Sequence, residues 1–199
     1  MEGICEIEEI EGEEWVVFNS NFNQELTPDI LQFLSKYQKV KFGFYFNQPV
    51  DNLPPLLTYL KFGWYFNQQV DNLPNGLSHL EFGRYFKQPV DNLPDTLTRL
   101  VLYGEFNQSL DNLPQSLTNL KLGGYFNQPV DNLPQSLTHL AIGYNFNQHV
   151  DSLPDSITHL RIGKNFNKPI QRFPKSLKEI RKHYLYSHPL PNNIKILTY

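Results

Sequence analysis

Seven phenylalanines, Phe46, Phe66, Phe86, Phe106, Phe126, Phe146 and Phe166, recur every 20 residues with no insertion or deletion between them. A fixed short period constrains a chain more than its composition does. A 20-residue unit cannot bury an apolar face alone, so successive units have to stack and share one continuous core. The usual conversion of a 199-residue length into a domain count therefore does not apply. The 15 Phe and 11 Tyr supply apolar mass for such a core.

One full copy reads Phe126-Asn127-Gln128-Pro129-Val130-Asp131-Asn132-Leu133-Pro134-Gln135-Ser136-Leu137-Thr138-His139-Leu140-Ala141-Ile142-Gly143. Its L-x-x-L-x-L core predicts a leucine-rich-repeat solenoid. In a stretch such as residues 58–62, Leu60 and Phe62 alternate with Tyr59 and Lys61, which predicts a strand with two faces. Pro54 and its equivalents force the preceding leucine into extended geometry, so the return path has no helix. The expected architecture is a parallel β-sheet on the concave face and an extended, irregular convex side. One short helix is expected near residues 28–37, where Thr27 suits an N-cap, Pro28 the first turn, and Ile30, Leu31, Leu34 and Tyr37 share a face. Residues 16–24 match residues 140–148 position by position and form an earlier copy, offset by 24 residues rather than 20.

Columns follow from the period. The Phe series is expected to form an internal structural spine. Asn47, Asn67, Asn107, Asn127, Asn147 and Asn167 are expected to form a structural ladder satisfying backbone groups at the bend. Lys87 interrupts that series, and Tyr103-Gly104 shifts the glycine by one place. The glycines after the strands, such as Gly63 and Gly143, are expected to supply a conformation that turns the chain off the sheet. Asp51 to Asp151 form a column read as a turn or cap feature rather than a catalytic pair. About ten strands spaced by ~4.8 Å predict a stack of roughly 45 Å.

Three regions are expected: an acidic N-terminal cap at 1–15, repeats at 16–180, and an irregular C-terminal repeat at 181–199. Residues 1–14 hold seven glutamates and no basic residue, whereas 161–199 hold nine Lys/Arg and one Glu. The first stretch can be a cover over the open core or a solvated acidic tail. The single cysteine, Cys5, permits no internal disulfide and fits a reducing compartment. The N-terminus lacks a basic region followed by an apolar run, and no apolar run approaches membrane length. A cytoplasmic location is expected, in the host cell if the source is viral.

The copies read L-P-x-S-L-T-x-L-x-F/I-G-x-x-F-N-Q-P-V, from about Val16 to Leu197. This resembles the FNIP repeat, the FGxxFN type of leucine-rich repeat. The resemblance implies a giant-virus or social-amoeba source. In that family an F-box often precedes the repeats and links a target to a ubiquitin ligase. The roughly 15 residues before the first copy are too few for an F-box, so that role is not carried over.

The outward strand positions hold Tyr59, His79, Arg99, Asn119, His139 and His159, and next to them Lys61, Glu81, Lys121 and Arg161. They pave the concave sheet, where solenoids bind partners. The same positions can also be a solvated ladder of cross-strand pairs. His139 and His159 fall side by side without a carboxylate or cysteine, so no metal is expected, although protonation would make them repel. Asn107-Gln108-Ser109 matches a glycosylation acceptor and is discounted because Asn107 belongs to the ladder. No phosphate loop, nucleophile elbow or zinc spacing occurs, and no catalytic residue or cofactor is expected.

The expected function is a non-enzymatic scaffold binding an unidentified protein through the concave face. The alternative is a self-assembling structural protein, a homodimer or head-to-tail oligomer. It would use an uncapped C-terminal end with Tyr184, Leu185, Tyr186, Ile196 and Tyr199. Nucleic-acid binding by the C-terminal basic residues is disfavoured by the acidic body.

Overall fold

The computed structural model describes residues 3–199. Eleven strands form one sheet in sequence order: β1 (Cys5–Ile10), β2 (Glu13–Phe18), β3 (Lys39–Lys41), β4 (Tyr59–Lys61), β5 (His79–Phe82), β6 (Arg99–Leu102), β7 (Asn119–Leu122), β8 (His139–Ala141), β9 (His159–Arg161), β10 (Glu179–Lys182) and β11 (Lys195–Thr198). From β2 onward every neighbour is parallel, and the register is fixed by the period, with Leu140 opposite Leu160 and His139 opposite His159. Only β1 runs antiparallel, against β2. Glu11 and Gly12 close that hairpin, both at positive φ (54° and 78°), the geometry of a two-residue turn whose twist matches the strands.

The expected solenoid is present, with the short helix α1 (Pro28–Leu34) on its convex side. Thr27 caps it by accepting from the Ile30 amide, and Ile30 and Leu34 bury its inner face. The helix stops at Leu34 instead of reaching Tyr37, because Ser35 turns its hydroxyl back onto the Gln32 carbonyl.

The core is built of columns. Phe22, Phe46, Phe66, Phe86, Phe106, Phe126, Phe146 and Phe166 are buried and stack nearly parallel, with ring centroids 6.1 Å apart for Phe126 and Phe146. A second column nearer the sheet, Phe42, Phe62 and Phe82, stacks at 5.5–5.6 Å. Parallel strands lie ~4.8 Å apart. Spacing therefore widens from the sheet outward, which bends the stack with the sheet on the inside.

The conserved-looking hydroxyls of each copy are spent on carbonyls. Thr118, Thr138 and Thr158 each donate to the backbone of the residue 20 positions earlier, and Ser116, Ser136 and Ser156 to Leu97, Leu117 and Leu137. At the bend, the Asn47 side-chain oxygen accepts from the Asn67 amide, and Asn107, Asn127 and Asn147 accept in the same way from the next coil. Lys87 has no such acceptor, so the ladder skips one rung there. Asn72, Asn92, Asn112 and Asn132 donate to the aspartates one coil back, which accounts for the Asp column.

The role expected of the glycines is corrected. Gly43, Gly63, Gly83, Gly143 and Gly163 do not adopt positive φ. A Cβ on Gly63 would lie 2.0 Å from the Gly43 carbonyl oxygen, so close stacking of backbone, not a special dihedral, excludes a side chain. Among the glycines that follow the repeat strands, only the displaced Gly104 is left-handed, at φ 59°.

Candidate functional site

The concave sheet carries two parallel rows of outward side chains. Tyr59, His79, Arg99, Asn119, His139 and His159 occupy successive register positions in one row. Lys61, Glu81, Val101, Lys121, Ala141 and Arg161 occupy the other. The two halves of this surface differ in charge.

In the N-terminal half most of the charges are paired internally among the described residues, Lys41 of β3 excepted. Lys39 pairs with Glu13. The Tyr59 hydroxyl donates to Glu81 at 2.7 Å, and the Lys61 ammonium reaches the same carboxylate at 2.9 Å. Trp15 packs edge-on against Tyr59, and His79 stacks on its other side. Glu81, expected on the open face, is instead only 7 % exposed. Burial alone would raise its pKa, but the hydrogen bonds from Tyr59 and Lys61 outweigh that and hold it low. Burial, then the bond to Glu81, pushes the Tyr59 hydroxyl up. This cluster rigidifies the sheet and leaves little to offer a partner.

The C-terminal half is cationic. Arg99, Lys121, Arg161 and Lys164 pair with no carboxylate among the described residues. Three of them rest on tyrosine rings: Lys121 lies 4.8 Å from Tyr103, Arg161 4.7 Å from Tyr199, and Lys164 5.5 Å from Tyr144. The carboxylate of this end, Glu179, is taken by Arg181 at 2.7 Å and Lys195 at 3.0 Å, which lower its pKa to about 2. A groove of 280 Å³ runs between these groups over Val101 and Ala141.

His139 and His159 line that groove, their rings stacked with centroids 4.5 Å apart. Each imidazole Nδ1 lies 2.9 Å from the hydroxyl of the preceding threonine, Thr138 for His139 and Thr158 for His159, and each hydroxyl is also 3.1 Å from the carbonyl one coil back. In a protonated ring both nitrogens donate, and the threonine oxygen is placed to accept from Nδ1–H. Partial burial, and then the neighbouring His159, lower the His139 pKa. Among the described residues no group of three or more His, Cys, Asp or Glu could hold a metal ion.

Of the residues expected at an exposed C-terminal end, Tyr184, Leu185, Ile196 and Tyr199 are exposed. Tyr186 is corrected: it is 2 % exposed and stacks on Phe166 at 5.5 Å. It lies 20 residues after Phe166 and is the last member of the spine, a signal the period contained. Tyr199 is tethered, its hydroxyl donating to the Ile162 carbonyl at 2.8 Å.

Sequence reasoning missed the rim. The two residues between glycine and the next Phe-Asn pair form aromatic columns at the rim, half-buried Phe44 with exposed Trp64 and exposed Tyr45 with Tyr65, and Arg84 lies over Trp64. The same positions supply Tyr144 and Lys164 to the cationic half. Their variability within an otherwise constant copy was the available clue.

Among the described residues no helix is long and apolar enough to cross a membrane. The FNIP Repeat model matches residues 46–72, 69–104, 89–125, 106–145, 126–151 and 145–181. A comparison with curated proteins gives no match. The crystal structure of CroV588, described as a novel circular LRR protein structure and of giant-virus origin, is similar with a TM-score of 0.74 and 34 % identity. The alignment covers 92 % of this chain and 33 % of that one, so this chain spans about a third of its length. With the repeat model matched from residue 46 to residue 181, the chain belongs to the FNIP repeat family.

Proposed function

We propose that this repeat solenoid is a non-enzymatic scaffold whose concave face, between β6 and β9, holds an acidic segment of a protein partner. The observation behind this reading is the charge division of the sheet. Arg99, Lys121, Arg161 and Lys164 have no carboxylate of their own among the described residues, whereas in the N-terminal half Lys39 and Lys61 do and Lys41 alone does not. Cations parked on tyrosine faces give up little when a carboxylate arrives, and Tyr and Arg are the residue types that dominate binding energy at interfaces. The groove between β6 and β9 suits a short acidic segment, and a long polyanion extended along the sheet would meet the glutamates of β1.

Fluorescence anisotropy with a labelled peptide of eight glutamates tests it. Binding that weakens with salt, is lost in Lys121→Glu/Arg161→Glu, and survives Lys36→Glu on the convex side supports the reading. Equal binding by both variants rejects it.

A second copy is one source of the acidic segment, since Glu6 and Glu9 of β1 are exposed. Light scattering at about 50 and 500 mM salt separates the cases. A doubled mass lost at high salt supports pairing of opposite charges, and a constant 23.3 kDa leaves a foreign partner.

A further inference from the structure

We infer that His139 and His159, together with Lys121 and Arg161, form a notch over Ala141 that binds a carboxylate and takes up a proton when it does so. The inference rests on the concave-face reading above and names the chemistry of its centre.

The notch follows from register. Ala141 sits between Lys121 and Arg161 on adjacent strands, and His139 and His159 stand beside it in the neighbouring row. Alanine is the smallest side chain of its row and leaves room between the cations on either side, with the two stacked imidazoles in the next row.

The imidazoles are placed for a proton-linked role. Each Nδ1 lies within hydrogen-bond distance of a threonine hydroxyl able to accept from it. A protonated ring donates from both nitrogens, so Nδ1–H is met by that hydroxyl and Nε2–H is left for a ligand. In the empty groove a second proton is opposed by the stacked partner ring 4.5 Å away and by the cations around it. The charged groups facing the pair are Arg99 on β6, Lys121 on β7, Arg161 on β9, and Glu179 on β10 with Arg181 and Lys195 already bound to it. Apart from the neutralised Glu179, all of them oppose a charged imidazole. An entering carboxylate reverses that balance: it accepts from Lys121, Arg161 and the Nε2–H of a protonated imidazole. The proton comes from solvent and the carboxylate remains ionised, so no bond of the ligand is broken. The two imidazoles do not suit a divalent cation, because the surrounding cations repel it and no free carboxylate completes the set.

The test is the affinity of the labelled octaglutamate peptide between pH 8.0 and 5.5, a range in which glutamate, with its ordinary pKa of ~4.3, stays ionised. Wild-type protein is expected to bind roughly tenfold more tightly at the acidic end, the ratio given by an imidazole whose pKa rises by about one unit on binding. Calorimetry in two non-phosphate buffers of different ionisation heat should show heats that differ by the uptake of about half a proton near the midpoint. His139→Gln/His159→Gln, which keeps polar side chains that cannot charge, should lose the dependence on pH, whatever its affinity at pH 8.0. Ala141→Glu, which places a carboxylate in the notch, should abolish binding at every pH. Binding that is intact but constant within about twofold across the range overturns the proton linkage and leaves the concave-face reading standing. A double variant that keeps the full pH slope also overturns it. Absence of binding at every pH overturns both readings.

Discussion

The imidazoles of His139 and His159 stack 4.5 Å apart, whereas Phe126 and Phe146, in the same two coils, stack at 6.1 Å. The ratio expresses the curvature of the solenoid at the level of side chains. On the inside, groups from adjacent coils are pressed together, and their charges interact strongly. On the outside, the rings need the bulk of phenylalanine to fill a wider gap. The same bend therefore sets both the residue chosen for the spine and the electrostatics of the concave groove.

The spine should be costly to interrupt. Phe126→Ala is expected to lose ~3–5 kcal/mol in denaturant unfolding, because neighbouring rings on both sides hold the cavity open. A loss below ~1 kcal/mol would show that the coils collapse onto the gap.

Two glycines separate space from conformation. Gly63→Ala forces a methyl to within 2.0 Å of the Gly43 carbonyl oxygen, and a loss of at least ~1–3 kcal/mol is expected. At Gly124 the nearest atom to an added Cβ is 3.8 Å away and φ is not positive, so Gly124→Ala should be neutral or stabilise by up to ~1 kcal/mol. Thermal melts of the pair check the contrast. Equal effects would show that packing between coils is not what selects glycine.

Tyr186 carries a polar atom into the spine. Its hydroxyl meets the Ile170 backbone but forms no well-aligned hydrogen bond. Removing an unsatisfied buried group by Tyr186→Phe should leave stability unchanged or raise it by about 1 kcal/mol. A clear loss in the same unfolding assay would mean that the hydroxyl is satisfied in solution.

Glu81 should make stability depend on pH. Its pKa is held below the ordinary value by Tyr59 and Lys61, against the opposing effect of burial. The stabilisation is present above the unfolded carboxylate pKa and is lost as pH falls through the lower folded value. Glu81→Gln is expected to cost ~1.5–3 kcal/mol at pH 7, with the deficit shrinking on acidification. A deficit that stays constant from pH 7 to pH 3 would contradict the assigned ion pairs.

The period, the strand alternation and the proline positions were enough to read the solenoid, the sheet and the helix from the residues. The antiparallel strand β1 was not readable as a strand, because Ile4, Ile7 and Ile10 alternate imperfectly and Glu11 at positive φ is an unfavourable turn residue. The concave rows were readable as rows, since a strand's period of two is geometric. Which members were free was not. Glu81 is buried because Tyr59 and Lys61 reach it from the preceding strand, and that depends on side-chain reach across the curve rather than on residue type. Tyr186 was misplaced because it replaces phenylalanine and Ser187 follows it where every other copy but the Phe86 one has asparagine, although the 20-residue count already assigned it to the spine.

The central claim, that the cationic half of the concave face is the binding surface, is tested most directly by mapping backbone amide shifts in NMR spectra as octaglutamate peptide is added. The account predicts shifts concentrated in β6 to β9, around Arg99, Lys121, Ala141 and Arg161, with β3 and β4 and the Asp51–Asp131 column unmoved. Shifts centred on the convex column or on the Trp64 rim, with β6 to β9 silent, would contradict it.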